Sequence, residues 1–169
     1  MPDDDGKDTA PDDRPANAPL GIPLHGPDLD ADVQMLVALG AVVRASAQLE
    51  DKLRTLFCAL QDSRFAVVTA AGQNAQWLLD MNRALLHTRC EEMPDGPRRR
   101  LMELLDEAKQ ALGLRNRYVH DQWMHGPGSE TLLMRSQRRS HDLQVAPVDL
   151  DGVVATVQQL TRCTVEIGC

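Results

Sequence analysis

An all-α fold is what this sequence predicts: an antiparallel helical bundle with a small β-hairpin before the last helix. Three observations carry that expectation. Apolar residues recur every three or four positions through most of the chain after residue 30, the period of an amphipathic helix. The breaks between these stretches carry turn chemistry, clearest in Met93-Pro94-Asp95-Gly96-Pro97. Only Glu130 to Val148 trades the helical period for short runs with weak alternation. A chain of 169 residues suits one domain with a core that needs no staples.

The opening segment stands apart. Residues 1–27 are rich in Asp, Pro, Ala and Gly and poor in large apolar groups, so they cannot repay the entropy of ordering. They are expected to form a disordered acidic tail, with the helical domain spanning residues 28–169. Residues 1–30 hold eight acidic and two basic side chains, and the remaining residues hold seventeen and sixteen. The net charge of −7 therefore comes from the tail, and a low pI does not exclude an RNA partner.

The helices follow in order. Asp28 and Asp30 offer caps for a long helix over about 31–61, with Val33, Leu36, Val37, Gly40, Val43 and Ala47 at helical spacing and Leu49, Leu53, Leu56, Phe57 and Leu60 continuing it. Glu50 and Arg54 can pair on its solvent face. Ser63 starts a short helix over about 64–71, which Gly72 ends. Gln73 or Asn74 starts the next, about 75–90, with Trp77, Leu78, Met81, Leu85 and Leu86 on one face. Trp77 is read as core or interface rather than as a base-stacking platform.

Asp95 caps a helix over about 97–124. Arg98, Arg99 and Arg100 oppose the dipole of its first turn, which Glu91 and Glu92 can offset. Glu130 to Gln137 and Asp142 to Val148 form the hairpin, with Arg135, Arg138, Arg139 and His141 near its tip as a solvated turn. Pro147 suits a strand end. Asp149 or Asp151 caps the last helix, about 152–166.

Composition removes several function classes. Cys58, Cys90, Cys163 and Cys169 form no Cys-x-x-Cys pair, so free thiols in a reducing cytosol are expected, without a disulfide framework or zinc ribbon. His87 and Cys90 alone cannot make a metal site. No basic or apolar leader opens the sequence, and the apolar run around Val37 to Val43 is far short of the roughly 20 residues that span a bilayer. The expectation is a cytoplasmic protein with no membrane association.

The chemistry gathers in Arg115-Asn116-Arg117-Tyr118-Val119-His120, with Trp123 beyond it. The apolar stripe Leu101, Leu104, Leu105, Ala108 and Leu112, continued by threes and fours, reaches Arg115. An arginine there is costly unless it is paired or opens on a crevice. Asp106, Glu107 or Asp121 could pair with it, and His120 could be a satisfied core histidine. The chemical reading differs. His titrates near neutrality and can move the proton of an RNA 2′-hydroxyl, while the Arg fork matches phosphate oxygens. Arg115 and His120 lie about 140° apart around the helix axis, so they flank a groove or meet counterparts across a two-fold axis. Spacing alone is weak, since Arg135 and His141 form a similar pair with no site assigned.

These six residues resemble the signature of the HEPN superfamily, small helical domains in which Arg, usually followed by a polar residue, precedes a His by four to six intervening positions. The helix order is similar, and Trp123 with the hairpin resembles compact bacterial members. The resemblance covers about residues 30–165, but its specific part is six residues long. It implies a metal-independent endoribonuclease without cofactor, acting on RNA as a homodimer with its two motifs facing each other. Arg115 and His120 are then the catalytic pair and Asn116 their polar support. Arg117 and Tyr118 fall at variable positions that, with Trp123, can contact RNA. A toxin or phage-defence role, with an antitoxin or regulatory partner, follows by analogy. Some family toxins carry a modifiable Tyr two positions after the His. Gln122 stands there in this chain, which argues against that pairing. The alternative is a catalytically silent dimer acting as an adaptor or nucleic-acid-binding module.

Overall fold

The computed structural model describes residues 29–89, 91, 93–126, 131–136 and 143–168. The expected tail lies outside them, as do Asp28, Cys90, Glu92, Arg138, Arg139, His141 and Cys169, and the side chains of Asp30 and Arg135. Five helices are described: α1 (Leu29–Gln61), α2 (Ala66–Ala70), α3 (Ala75–Thr88), α4 (Asp95–His120) and α5 (Leu150–Ile167). Between α4 and α5 lies a small antiparallel sheet of β1 (Gln122–His125), β2 (Thr131–Ser136) and β3 (Leu143–Pro147), in that order. No described helix is long and apolar enough to cross a membrane.

The core forms along α1. Ala38, Val42, Ala45, Leu49, Leu53, Phe57 and Leu60 are buried at steps of three and four, the stripe a 3.6-residue period places on one face. Onto it pack Leu78, Leu79 and Leu86 of α3, Leu104, Leu105, Ala108 and Leu112 of α4, and Val153, Leu160 and Cys163 of α5. Each fully buried leucine contributes roughly 1.5–3 kcal/mol relative to exposure. Trp77 joins this core, its ring 5.2 Å from that of Phe57. Asn82, buried on α3, donates through Nδ2 to the Leu53 carbonyl at 2.9 Å.

The caps follow the sequence in part. Asn74 Oδ1 accepts from Trp77 N at 2.9 Å, and Asp149 Oδ1 from Gly152 N at 2.6 Å, each satisfying a free donor of a helix start. Asp95 is instead the first residue of α4, and its carboxylate takes Arg98 at 2.8 Å. The hydrogen bond from Arg98 holds that carboxyl below its ordinary value. Gly72, at φ +73°, makes the left-handed turn between α2 and α3 that a side chain would strain.

The basic first turn of α4 is paired, but not to Glu91. Arg100 reaches Glu103 at 3.3 Å, Glu107 at 3.5 Å and Glu166, while Arg162 reaches Glu107. These contacts run in opposite order along α4 and α5 and fix the two helices as antiparallel neighbours.

Two further expectations fail, each for a physical reason. Val33, Leu36, Val37 and Val43, which carry the apolar spacing read for the first half of α1, are exposed. The first half of α1 is apolar on two sides, and the core takes the side carrying Ala38, Val42 and Ala45. The second failure concerns α4, which stops at His120, four residues before the expected end. Asp121 is extended (φ −78°, ψ 154°) and residues 122–125 pair with β2. Trp123 meets Leu133 in that register, and its Nε1 donates to the Tyr118 carbonyl at 2.8 Å. Strand pairing and a satisfied terminal carbonyl outweigh one more helical turn. The expected two-stranded hairpin is therefore a three-stranded sheet.

Candidate functional site

Arg115 sits where the buried face of α4 runs out. Ala108, Ala111 and Leu112 are buried one and two turns earlier. The next position on that face carries a half-buried guanidinium. Its Nη1 donates to Asn116 Oδ1 at 3.0 Å, and its Nε is buried with no hydrogen-bond acceptor among the described residues. No described carboxylate lies within ion-pair distance of it. The three carboxylates that could have held it are engaged elsewhere: Asp106 by Arg83, Glu107 by Arg100 and Arg162, and Asp121 by Arg117 at 3.9 Å. A cation kept on a core stripe without a counter-charge is unfavourable, and no structural partner explains this one.

What Arg115 has instead is a cleft. A cavity of about 150 Å³ opens beside it between three helices. Val43, Ser46, Ala47 and Glu50 of α1 form one wall, Ala75, Gln76 and Leu79 of α3 the second, and Leu112, Arg115 and Asn116 of α4 the third. Ser46 is buried, with its hydroxyl donating to the Val43 carbonyl at 2.8 Å. Glu50 Oε1 accepts from Arg54 Nη2 at 3.2 Å, the expected pair. Gln76 donates through Nε2 to both oxygens of Asp80 at 2.9 and 3.0 Å.

The other motif residues do not line this cleft. His120 is exposed in the last turn of α4, where a cation is favoured by the helix dipole. It is not a core histidine, and its ring has no hydrogen-bond partner among the described residues. Tyr118 packs against the core, its hydroxyl close to Gly152 at the start of α5. Trp123 is half-buried in β1 and closes the end of α4 through the Tyr118 carbonyl. Arg117 faces Asp121. The structure thus joins Arg115 to Asn116 and leaves His120 free at the helix end.

Ser46, Glu50 and Gln76 escaped the sequence reading as cleft residues. Only Ser46 left a signal there, a polar residue among Val42, Ala45 and Leu49 on the buried stripe of α1. Among the described residues no three His, Cys, Asp or Glu side chains gather as a metal site. No family model matches the chain, and no curated protein or solved structure shows significant similarity to it.

Proposed function

We propose that the chain is a HEPN-like, metal-independent endoribonuclease that works as a homodimer, with Arg115 and His120 as its catalytic pair. The observation that carries this reading is the Arg115 guanidinium at the mouth of a cleft with no ion-pair partner among the described residues, since the three carboxylates the sequence offered it, Asp106, Glu107 and Asp121, are each committed to another arginine. In the proposed reaction a histidine takes the proton of an RNA 2′-hydroxyl. The 2′-oxygen attacks the adjacent phosphorus, the bond from phosphorus to the 5′-oxygen breaks, and an acid protonates that leaving oxygen. The products are a 2′,3′-cyclic phosphate and a 5′-hydroxyl. Arg115 stabilises the charge that grows on the phosphorane, and Asn116 holds its fork.

A second copy supplies what one helix cannot. Arg115 and His120 diverge by about 140° on α4, so each meets a partner's group across a two-fold axis. The exposed apolar side of α1 supports this arrangement. Val33, Leu36, Val37, Gly40 and Val43 form a stripe opposite the core, with nothing within 4 Å of where a Gly40 Cβ would stand. From Val33 to Val43 that helix carries no charge, and a helix apolar all round is ordinarily buried. A neutral stripe can face its own copy across a two-fold axis, and Val43 joins it to the cleft. A growth-limiting toxin or phage-defence role, with an antitoxin or regulator, is the setting this activity fits.

One observation favours the alternative of a silent adaptor or nucleic-acid-binding dimer: His120 stands outside the cleft that holds Arg115. The deciding experiment is purified protein with mixed RNA in excess EDTA, beside folded His120→Ala and Arg115→Ala proteins. Cleavage by the wild type alone, leaving 2′,3′-cyclic phosphate ends, is expected. Equal behaviour of all three on every RNA sinks the enzyme and leaves the binding module.

A further inference from the structure

We propose that the cleft beside Arg115 is a nucleobase subsite that selects guanine, read chiefly by Glu50 and Gln76. The inference rests on the ribonuclease reading only in treating the base as part of an RNA. The cavity, about 150 Å³, is far smaller than sites for drug-sized ligands, and suits a single heterocycle. Leu79 and Leu112 give it apolar walls for ring faces, while polar groups from three helices reach its rim.

The existing hydrogen bonds fix what those polar groups offer. Glu50 spends Oε1 on Arg54, which leaves Oε2 as an acceptor. Gln76 commits its amide nitrogen to Asp80, which leaves Oε1 as a second acceptor. Asn116 commits Oδ1 to Arg115, which leaves Nδ2 as a donor. Two acceptors and a donor complement the guanine edge, where N2–H and N1–H donate and O6 accepts. Adenine, cytosine and uracil each present only one donor group on that edge, so each leaves an acceptor of the cleft unmet. Glu50 is only partly exposed but Gln76 and Asn116 stand open at the rim, where water can meet an unused group, so the discrimination expected is modest. Arg115 lines the same cleft, so the proposed base subsite and the group proposed to act on the phosphate belong to one nucleotide's surroundings.

The test is isothermal titration of the full chain with guanosine, adenosine, cytidine and uridine 3′-monophosphates. Guanosine 3′-monophosphate is expected to bind about tenfold tighter than the others or better, the size of one good bidentate pair. Glu50→Gln should bring the four within about threefold by removing that guanine-specific gain, with its thermal melt unchanged. Ala47→Met, which fills the cleft from an exposed position, should abolish binding of all four without unfolding the chain. Equal affinities, no binding, or an unchanged preference in Glu50→Gln overturns the guanine subsite, whether or not RNA is cut. Guanine-selective binding by a protein that cuts no RNA overturns the ribonuclease and leaves the subsite standing.

Discussion

Arg115 differs from Arg98, Arg100 and Arg117 on the same helix in having no carboxylate partner among the described residues, and that contrast can be measured. Arg115→Ala should lower kcat about 10² to 10³-fold, the usual cost of a lost transition-state donor. Arg115→Lys keeps the charge but loses the fork and Nε, so it should recover only part of that loss in single-turnover assays. Full recovery would show that the charge alone matters. His120 is exposed and unbonded, so His120→Ala should change stability by less than about 0.5 kcal/mol and activity by about 10² to 10⁴. Arg115 stood out in the sequence because an arginine on an apolar stripe needs a reason, whereas His120 was singled out by its spacing from that arginine alone. Glu50 and Gln76 were not, because they sit on other helices and only packing brings them to the same cleft. Cys163 gives a separate test. Burial pushes its thiol above the ordinary range, with Glu107 adding to the effect. The folded state therefore holds the proton more tightly than the unfolded one. Stability is complete below the ordinary thiol value and falls as pH rises from about 8.5 through the raised folded value. A Cys163→Ser or Cys163→Ala protein should show a flatter decline in melting temperature over that window, and iodoacetamide should label Cys58 well before Cys163 in the native protein.

Secondary elements were the most readable level. Periodicity located α1, α3 and α5 to within a few residues, because each carries a long apolar stripe and two of them a side-chain cap. The end of α4 was not readable, since Val119 and Trp123 continue its spacing while the strand pairing that overrides them comes from residues 131–136. The buried side of α1 was not readable for a related reason: two apolar faces compete, and only the neighbours decide between them. The Trp123 bond to the Tyr118 carbonyl is the device that ends α4. Trp123→Phe keeps most of the ring and deletes that bond, so it should cost about 1 kcal/mol in urea unfolding. Amide exchange should quicken around residues 117–124 and stay unchanged in α1. Uniform loss of protection would mean instead that Trp123 holds the whole core.

For the molecule as a whole, the outer side of α1 is an apolar surface that stands uncovered. Val37 is 68% exposed, Gly40 meets nothing, and the core on the opposite side is already complete without them. An unpaired apolar stripe of this kind is costly in water and marks an interface. If a second copy occupies it, Val37→Glu places two like charges against each other across the two-fold axis, and such a pair in a desolvated interface costs several kcal/mol. The variant should then sediment as a monomer where the wild type sediments as a dimer. Its circular dichroism should be unchanged, because Val37 contributes nothing to the core. Under the proposed shared centre cleavage should fall with dimer content, while guanosine 3′-monophosphate binding should survive, because the cleft is built within one chain. Mixing Arg115→Ala with His120→Ala protein sharpens the test. In the mixed dimer both lesions can fall on one composite centre and leave the other intact, so activity should return to about a quarter of wild type if copies exchange at random. That figure is the statistical expectation for half the dimers each carrying one whole centre. No recovery from the mixture, together with a dimeric Val37→Glu protein, would remove the shared centre and place the partner surface elsewhere.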